Sequence, residues 1–173
     1  MSGVSLRLAV GLQVLALLTG CGQVPADERP SLVLVLADDQ RFDTLSCAGG
    51  VHVQTPSLDQ IAAQGAFFER AYVTTSLCCP ARAGILTGLY AHQTQIRNNE
   101  DDVDFLASGL GFPELLQEAG YSTGFFGKWH IPNPGAMPQR GFDRWVSFDG
   151  QGQYIDETFN IDGERQQLPG FNT

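Results

Sequence analysis

The chain has 173 residues, 43% of them hydrophobic and 17% charged, with a formal net charge of −9. That balance fits a globular chain of about one domain and excludes the disordered and coiled-coil classes. No basic stripe is present, which argues against nucleic acid as a partner. A site for an anion would have to be built locally, against a repulsive overall field.

In chain order, the first twenty residues form a separate segment in which Arg7 is the only charge. The apolar run over residues 8–18 is too short to span a bilayer and fits the h-region of a signal peptide. It ends in Leu18-Thr19-Gly20-Cys21, which resembles the bacterial lipobox. On that reading Cys21 is lipidated and becomes the first mature residue. The alternative is an ordinary signal peptide with a chance cysteine. The expected organisation is a lipoprotein signal peptide at 1–20, a polar tether at 21–30 and a folded domain from 31 to 173. Stable anchoring needs two or more acyl chains. The implied location is the bacterial cell envelope, extracytoplasmic and held to a membrane through the lipid. The cysteines are Cys21, Cys47, Cys78 and Cys79. Lipidation of Cys21 leaves an odd number, which argues against a complete disulfide framework and flags a special thiol.

Beyond the tether the pattern alternates strand and helix. Residues 31–37, Ser-Leu-Val-Leu-Val-Leu-Ala, predict a strand buried on both faces of a parallel sheet. Thr55-Pro56 offers an N-cap and an N1 proline, with Gly65 as the stop. Residues 67–73 predict a second strand. Pro80 fits N1 of a helix running to about Thr87 and closed by Gly88. Pro113 opens another, stopped at Gly120, and residues 122–126 predict a short buried strand. Such alternation implies an α/β sheet with helices on its faces. After Gly150 the chain is expected to be polar and loop-like.

Asp38 and Asp39 follow the first predicted strand directly, where open α/β sheets collect ligands. Adjacent carboxylates suit a hard cation such as Ca²⁺ or Mg²⁺, and equally a solvated turn. Lys128 and His130 follow the strand predicted at 122–126, and would suit an anionic substrate or be ordinary surface groups. The strongest signal is Cys78-Cys79-Pro80-Ala81-Arg82. Cys78 is placed at a helix N-terminus, where free amides and the macrodipole favour an anion. Arg82 follows at the same end of that helix. A metal-binding or disulfide cysteine pair is disfavoured, because adjacent cysteines are poorly placed to chelate one ion and no C-x-x-C partner exists elsewhere.

Cys78-x-Pro80-x-Arg82, followed by Ala83 and Leu86-Thr87-Gly88, resembles the signature of the formylglycine-dependent sulfatases, an alkaline-phosphatase-like family. Further blocks are similar in the same order: residues 33–39, Thr55-Pro56-Ser57-Leu58-Asp59, Gly88-Leu89-Tyr90-Ala91-His92, Gly127-Lys128-Trp129-His130, and Pro138 with Arg140-Gly141-Phe142-Asp143. The resemblance covers about residues 31–149. It implies an alkaline-phosphatase-like α/β fold, with a mixed, mostly parallel sheet carrying helices on both faces. It implies that Cys78 is oxidised to Cα-formylglycine by a formylglycine-generating maturation enzyme, with Cys79 at a variable position. It implies a Ca²⁺ ion, with Mg²⁺ as the alternative, bound by Asp38, Asp39 and residue 78. Arg82 would then steady that residue, Lys128 contact the sulfate, and His130 hydrogen-bond the formylglycine diol. His92 is left outside the catalytic set.

The implied activity is hydrolysis of sulfate monoesters, on a small molecule or glycan, with a leaning to the N-acetylglucosamine-6-sulfatase-like branch. One departure stands out. The family's second pair of metal ligands, and the histidine and lysine on the leaving-group side, come later than Thr173. Asn98-Asn99-Glu100 looks superficially like a metal block but lies too early. The chain is therefore read as the N-terminal part of the catalytic domain, here truncated and expected to be inactive by itself. The rival readings are a phosphonate or phosphodiester hydrolase of the same superfamily, and a lipoprotein that only binds anions or partners.

Overall fold

The computed structural model describes residues 28–104, 111–131 and 135–171. The expected signal segment, Cys21 and most of the tether lie outside them. Backbone packing divides the chain into two units, Met1–Leu34 and Val35–Thr173. Of the first unit, residues 28–34 are described, and they form no helix or strand. Among the described residues, no helix is long and apolar enough to cross a membrane.

Among its described residues, the second unit holds four α-helices, α1 (Pro56–Gln64), α2 (Cys78–Thr87), α3 (Ala91–Thr94) and α4 (Phe112–Glu118). The same described residues hold four strands, β1 (Gly124–Lys128), β2 (Arg144–Phe148), β3 (Thr158–Ile161) and β4 (Glu164–Gln167), forming one sheet in the order β1-β2-β3-β4. The sheet is mixed. β1 and β2 are parallel, with Gly124 opposite Arg144 and Lys128 opposite Phe148. The β2/β3 and β3/β4 pairs are antiparallel.

The predicted helices form where proline and glycine punctuate them. Pro56 opens α1 and Gly65 closes it. The second helix begins two residues earlier than expected, with Leu77 as N-cap and Cys78 at the first helical position. Pro80 therefore sits third rather than first. Its missing N–H costs nothing there, because the first-turn donors have no intrahelical partner. In α4, Glu114 reaches back to the Gly111 amide and pairs with Arg140 at 2.6 Å. Gly141, at φ +87, packs so close that a Cβ would lie 2.9 Å from the Glu114 backbone nitrogen. Asp143 accepts the Thr123 amide at 2.7 Å. The Arg140-Gly141-Phe142-Asp143 block thus ties α4 and the start of β1 together.

Three expectations are corrected. Residues 31–37 form no strand, and Val33 and Val35 are 85% and 82% exposed. Residues 67–73 likewise lie in no strand, with Phe68 77% exposed. Apolar, β-prone sequence becomes a strand only where a neighbouring backbone takes its hydrogen bonds, and neither segment has such a neighbour in the four-stranded sheet. Conversely, the stretch after Gly150 is not a loop but carries the β3–β4 hairpin. Its two-residue turn is Asp162-Gly163, both at positive φ, 50° and 101°. That is the geometry of a type I′ turn, whose twist matches the strands it joins.

The core lies between α2 and the sheet. Cys79, Ala83 and Leu86 recur at helical spacing on one side of α2 and pack with Ile96, Trp129, Ile131 and Trp145. Phe125 stacks on Trp145 with ring centroids 4.8 Å apart and meets Trp129 edge-on at 5.2 Å. The buried Trp145 indole donates to the Ala136 carbonyl at 2.7 Å, so its polar edge costs little to bury.

Candidate active site

The core stripe of α2 determines what its neighbouring face can do. With Cys79 and Ala83 turned inward, Cys78 and Arg82, four residues apart, share a face beside the stripe. Lys128 reaches the same place from the end of β1, and Asp38 from the end of residues 31–37. The Asp38 carboxylate takes the Arg82 guanidinium at 2.7 Å and the Lys128 ammonium at 2.8 Å, both on Oδ2. The Cys78 thiol lies 3.8 Å from Asp38 Oδ1 and 3.6 Å from Lys128 Nζ. The Arg82 guanidinium also donates to the Lys128 backbone carbonyl. The Arg82 and Lys128 side chains are only 11% and 12% exposed, but the Asp38 side chain is 34% exposed, so the ion pairs stay open to solvent on the carboxylate side.

Burial works to raise the Asp38 pKa, but hydrogen bonds and charge from Lys128 and Arg82 outweigh it and hold the carboxyl below its ordinary 3.8. His130 is shifted down from 6.5, first by burial and then by the charges of Lys128 and Arg82, with Asp38 opposing. The shift favours the neutral ring. Its backbone sits at φ 59°, and its Nδ1 is buried without a hydrogen-bond partner among the described residues.

The two adjacent cysteines are sharply different. Cys79 is fully buried, its thiol donates to the His130 carbonyl, and burial pushes its pKa up to about 11. Cys78 is half-buried and faces charged groups. Of the residues singled out from sequence, Asp38, Cys78, Arg82 and Lys128 are brought together. His130 is tied in through its backbone. Asp39 is exposed, in a left-handed conformation at φ 53°. His92 stacks on Tyr90 with a centroid distance of 5.9 Å.

Two residues escaped the sequence reading. Gln151, in the turn after β2, accepts a hydrogen bond from Lys128 Nζ. Asn99 accepts the Cys79 amide at 3.0 Å. The Asp149-Gly150 turn marks the place of the first. Asn99 stood in a polar block whose partner, twenty residues upstream, no local pattern reveals.

For Ca²⁺ or Mg²⁺ the donors fit one side of a site. Asp38 Oδ1 faces position 78, and Asp39 is adjacent in sequence, but Oδ2 is committed to two cations. No group of three His, Cys, Asp or Glu residues that could hold a metal exists among the described residues.

The sulfatase family model matches residues 30–165. The chain belongs to the sulfatase family. It is 37% identical over 161 residues to an N-acetylglucosamine-6-O-sulfatase of Bacteroides thetaiotaomicron, covering 90% of this chain and 28% of the relative. It is 38% identical over 174 residues to an N-acetylgalactosamine-6-O-sulfatase of the same organism, covering 94% and 34%. A structure described as being in complex with its substrate, D-glucosamine-2-N,6-O-disulfate, matches with TM-score 0.75 and 36% identity over 83% of this chain and 28% of the other. The mixed sheet with helices is thus the sulfatase fold. This sulfatase-family chain spans about a third or less of the length of these relatives.

Proposed function

We propose that this chain forms the N-terminal part of a sulfuric ester hydrolase that cleaves sulfate monoesters of amino sugars, with residue 78 as nucleophile after Cys78 is converted to formylglycine. The observation that carries this reading is the convergence of Asp38, Cys78, Arg82 and Lys128. The bonds that join them bridge 40 to 90 residues of sequence. The amino-sugar class is supported by the relatives named for N-acetylglucosamine and N-acetylgalactosamine sulfates, and by the neighbour's sulfated glucosamine.

The residues divide the work. Lys128 holds a positive charge beside position 78, where a sulfate oxygen would rest. Arg82 fixes Asp38 and the Lys128 backbone at once, so the two cations and the carboxylate keep one geometry. His130, kept neutral, can exchange a hydrogen bond with an oxygen-bearing residue 78. Cys79, sequestered against the His130 carbonyl, leaves Cys78 as the thiol open to maturation. Formylglycine supplies, as its hydrate, a hydroxyl nucleophile that cysteine lacks. A divalent cation held by Asp38, Asp39 and residue 78 would supply Lewis-acid activation and charge neutralisation there. We further propose export and lipid attachment at Cys21, supported by the Leu18-Thr19-Gly20-Cys21 sequence.

Co-expression with a formylglycine-generating enzyme, followed by peptide mass spectrometry, tests the assignment. The expected result is an aldehyde at position 78 beside an intact thiol at 79. The reverse pattern would sink it. In the context of a complete catalytic domain, 6-O-sulfated N-acetylglucosamine should turn over faster than phosphodiesters or phosphonates. Faster turnover of the phosphorus esters would move the chain to the rival hydrolase class. Cys21→Ser should release the protein from membranes.

A further inference from the structure

We infer that Asn99 is a positioning residue for position 78, closing the first turn of α2 from a distance. A helix begins with N–H groups that have no intrahelical partner, and a polar N-cap side chain usually takes one. The N-cap of α2 is Leu77, in extended backbone at φ −147° and ψ 143°, and it makes no side-chain cap bond. Ala81 makes the first intrahelical bond, donating to the Leu77 carbonyl at 3.0 Å. Proline at 80 has no donor. The Cys79 amide, which adjoins position 78, is taken at 3.0 Å by the Asn99 side-chain oxygen.

The segment that delivers Asn99 is built to hold still. Asp101 accepts the Arg97 amide at 2.7 Å and the Asn98 amide at 3.3 Å, and the Asn98 side chain donates back to Asp101 at 3.1 Å. The Glu100 amide donates to Asn98 Oδ1 at 2.7 Å. Upstream, Thr94 and Ile96 are buried, and Ile96 packs in the cluster that contains Cys79 and Ala83. A loop bonded to itself and rooted in the helix's own core presents one amide oxygen to the turn that carries residue 78. This distal cap allows an apolar residue at 77 and leaves the face of Cys78 clear of a capping side chain. The bond stands on its own geometry, while its bearing on turnover rests on the function proposed above.

Amide hydrogen exchange and the Cys78 ¹³Cβ chemical shift, measured on the unmodified 173-residue chain, test the inference. In Asn99→Ala the Cys79 amide should exchange roughly tenfold faster, the loss of about one hydrogen bond. The Cys78 ¹³Cβ shift should move, and the Ala83 and Leu86 amides should keep their rates. Asn99→Asp retains the acceptor and adds charge favourable to a helix start, so it should restore protection. Equal acceleration along all of α2 would reduce Asn99 to general support and overturn the inference. So would an unmoved Cys78 signal, or failure of Asn99→Asp to rescue. Should Asn99→Ala not fold, Asn99→Ser must show intermediate exchange at Cys79, and wild-type exchange there would refute the assignment. Because the thiol form is measured, a Cys78 that is never converted to formylglycine would defeat the proposed nucleophile and leave this result standing.

Discussion

Between Val35 and Leu77 no residue is buried, although Phe67, Phe68, Tyr72 and Val73 all stand there. From Cys79 onward the chain holds every buried residue among those described. Both stretches are rich in apolar side chains, so hydrophobicity alone does not account for the difference. The later stretch contains its own partners, since α2 has a sheet to lie on and β1 has β2 to pair with. The site draws on both. Cys78, Arg82 and Lys128 rest on or beside the packed core, whereas Asp38 comes from the unpacked stretch and is held by charge. A carboxylate can be fixed by two cations where its backbone has no ladder to join.

Substitutions can break or sharpen this contrast. The largest effect is expected at Trp145, the indole at the centre of the aromatic cluster. Trp145→Ala should cost about 3–5 kcal/mol in denaturant unfolding, while Phe68→Ala, in the exposed stretch, should stay within about 0.5 kcal/mol. A large loss at Phe68 would show that the exposed stretch packs in solution. Next comes the hairpin. Gly163 sits at φ +101°, so Gly163→Ala should cost roughly 1–2 kcal/mol by strain alone, read in the same unfolding assay, and should loosen the β3/β4 pairing before the core.

The smallest effects lie at the ionic join. Asp38 has a folded pKa below its ordinary 3.8, so it contributes stability that is present above that value and lost as pH falls through the lower folded one. Its side chain is 34% exposed, so screening holds the contribution to less than about 1 kcal/mol. Lys128→Met should raise the Asp38 titration towards 3.8, followed by carboxyl NMR. The same change should raise the His130 titration towards 6.5, because a positive neighbour has been removed. An unmoved Asp38 titration would mean that Lys128 does not hold it.

The sequence made the helices legible wherever Pro56, Pro113, Gly65, Gly88 and Gly120 marked their ends, and it made α2 legible as the bearer of Cys78 and Arg82. It also announced Lys128 and Asp38, through their places at the ends of apolar runs. It misled at residues 31–37 and 67–73, because strand propensity says nothing about whether a partner strand lies alongside. The β3–β4 hairpin was readable after all. Asp162-Gly163 is a strong two-residue turn signal, masked by the surrounding polar residues. Asn99 and Gln151 were not readable, since each acts through one bond to a residue more than a turn of any element away.

The aromatic cluster has an optical consequence. The chain's two tryptophans are Trp129 and Trp145, and their rings meet at 5.2 Å and 65°. Rings that close and that inclined couple their strong indole transitions, so the far-ultraviolet circular dichroism of this chain should carry an exciton signature. That signature exists only while β1 and β2 are in register. Trp129 stands between Lys128 and His130, so the reporter is built into the segment that delivers the site's lysine. No indole lies between Val35 and Leu77, and tryptophan emission will follow that stretch only through its effect on the other. An unfolding curve read by fluorescence therefore tracks the packed half, and a separate probe placed near Phe68 would be needed to see the rest.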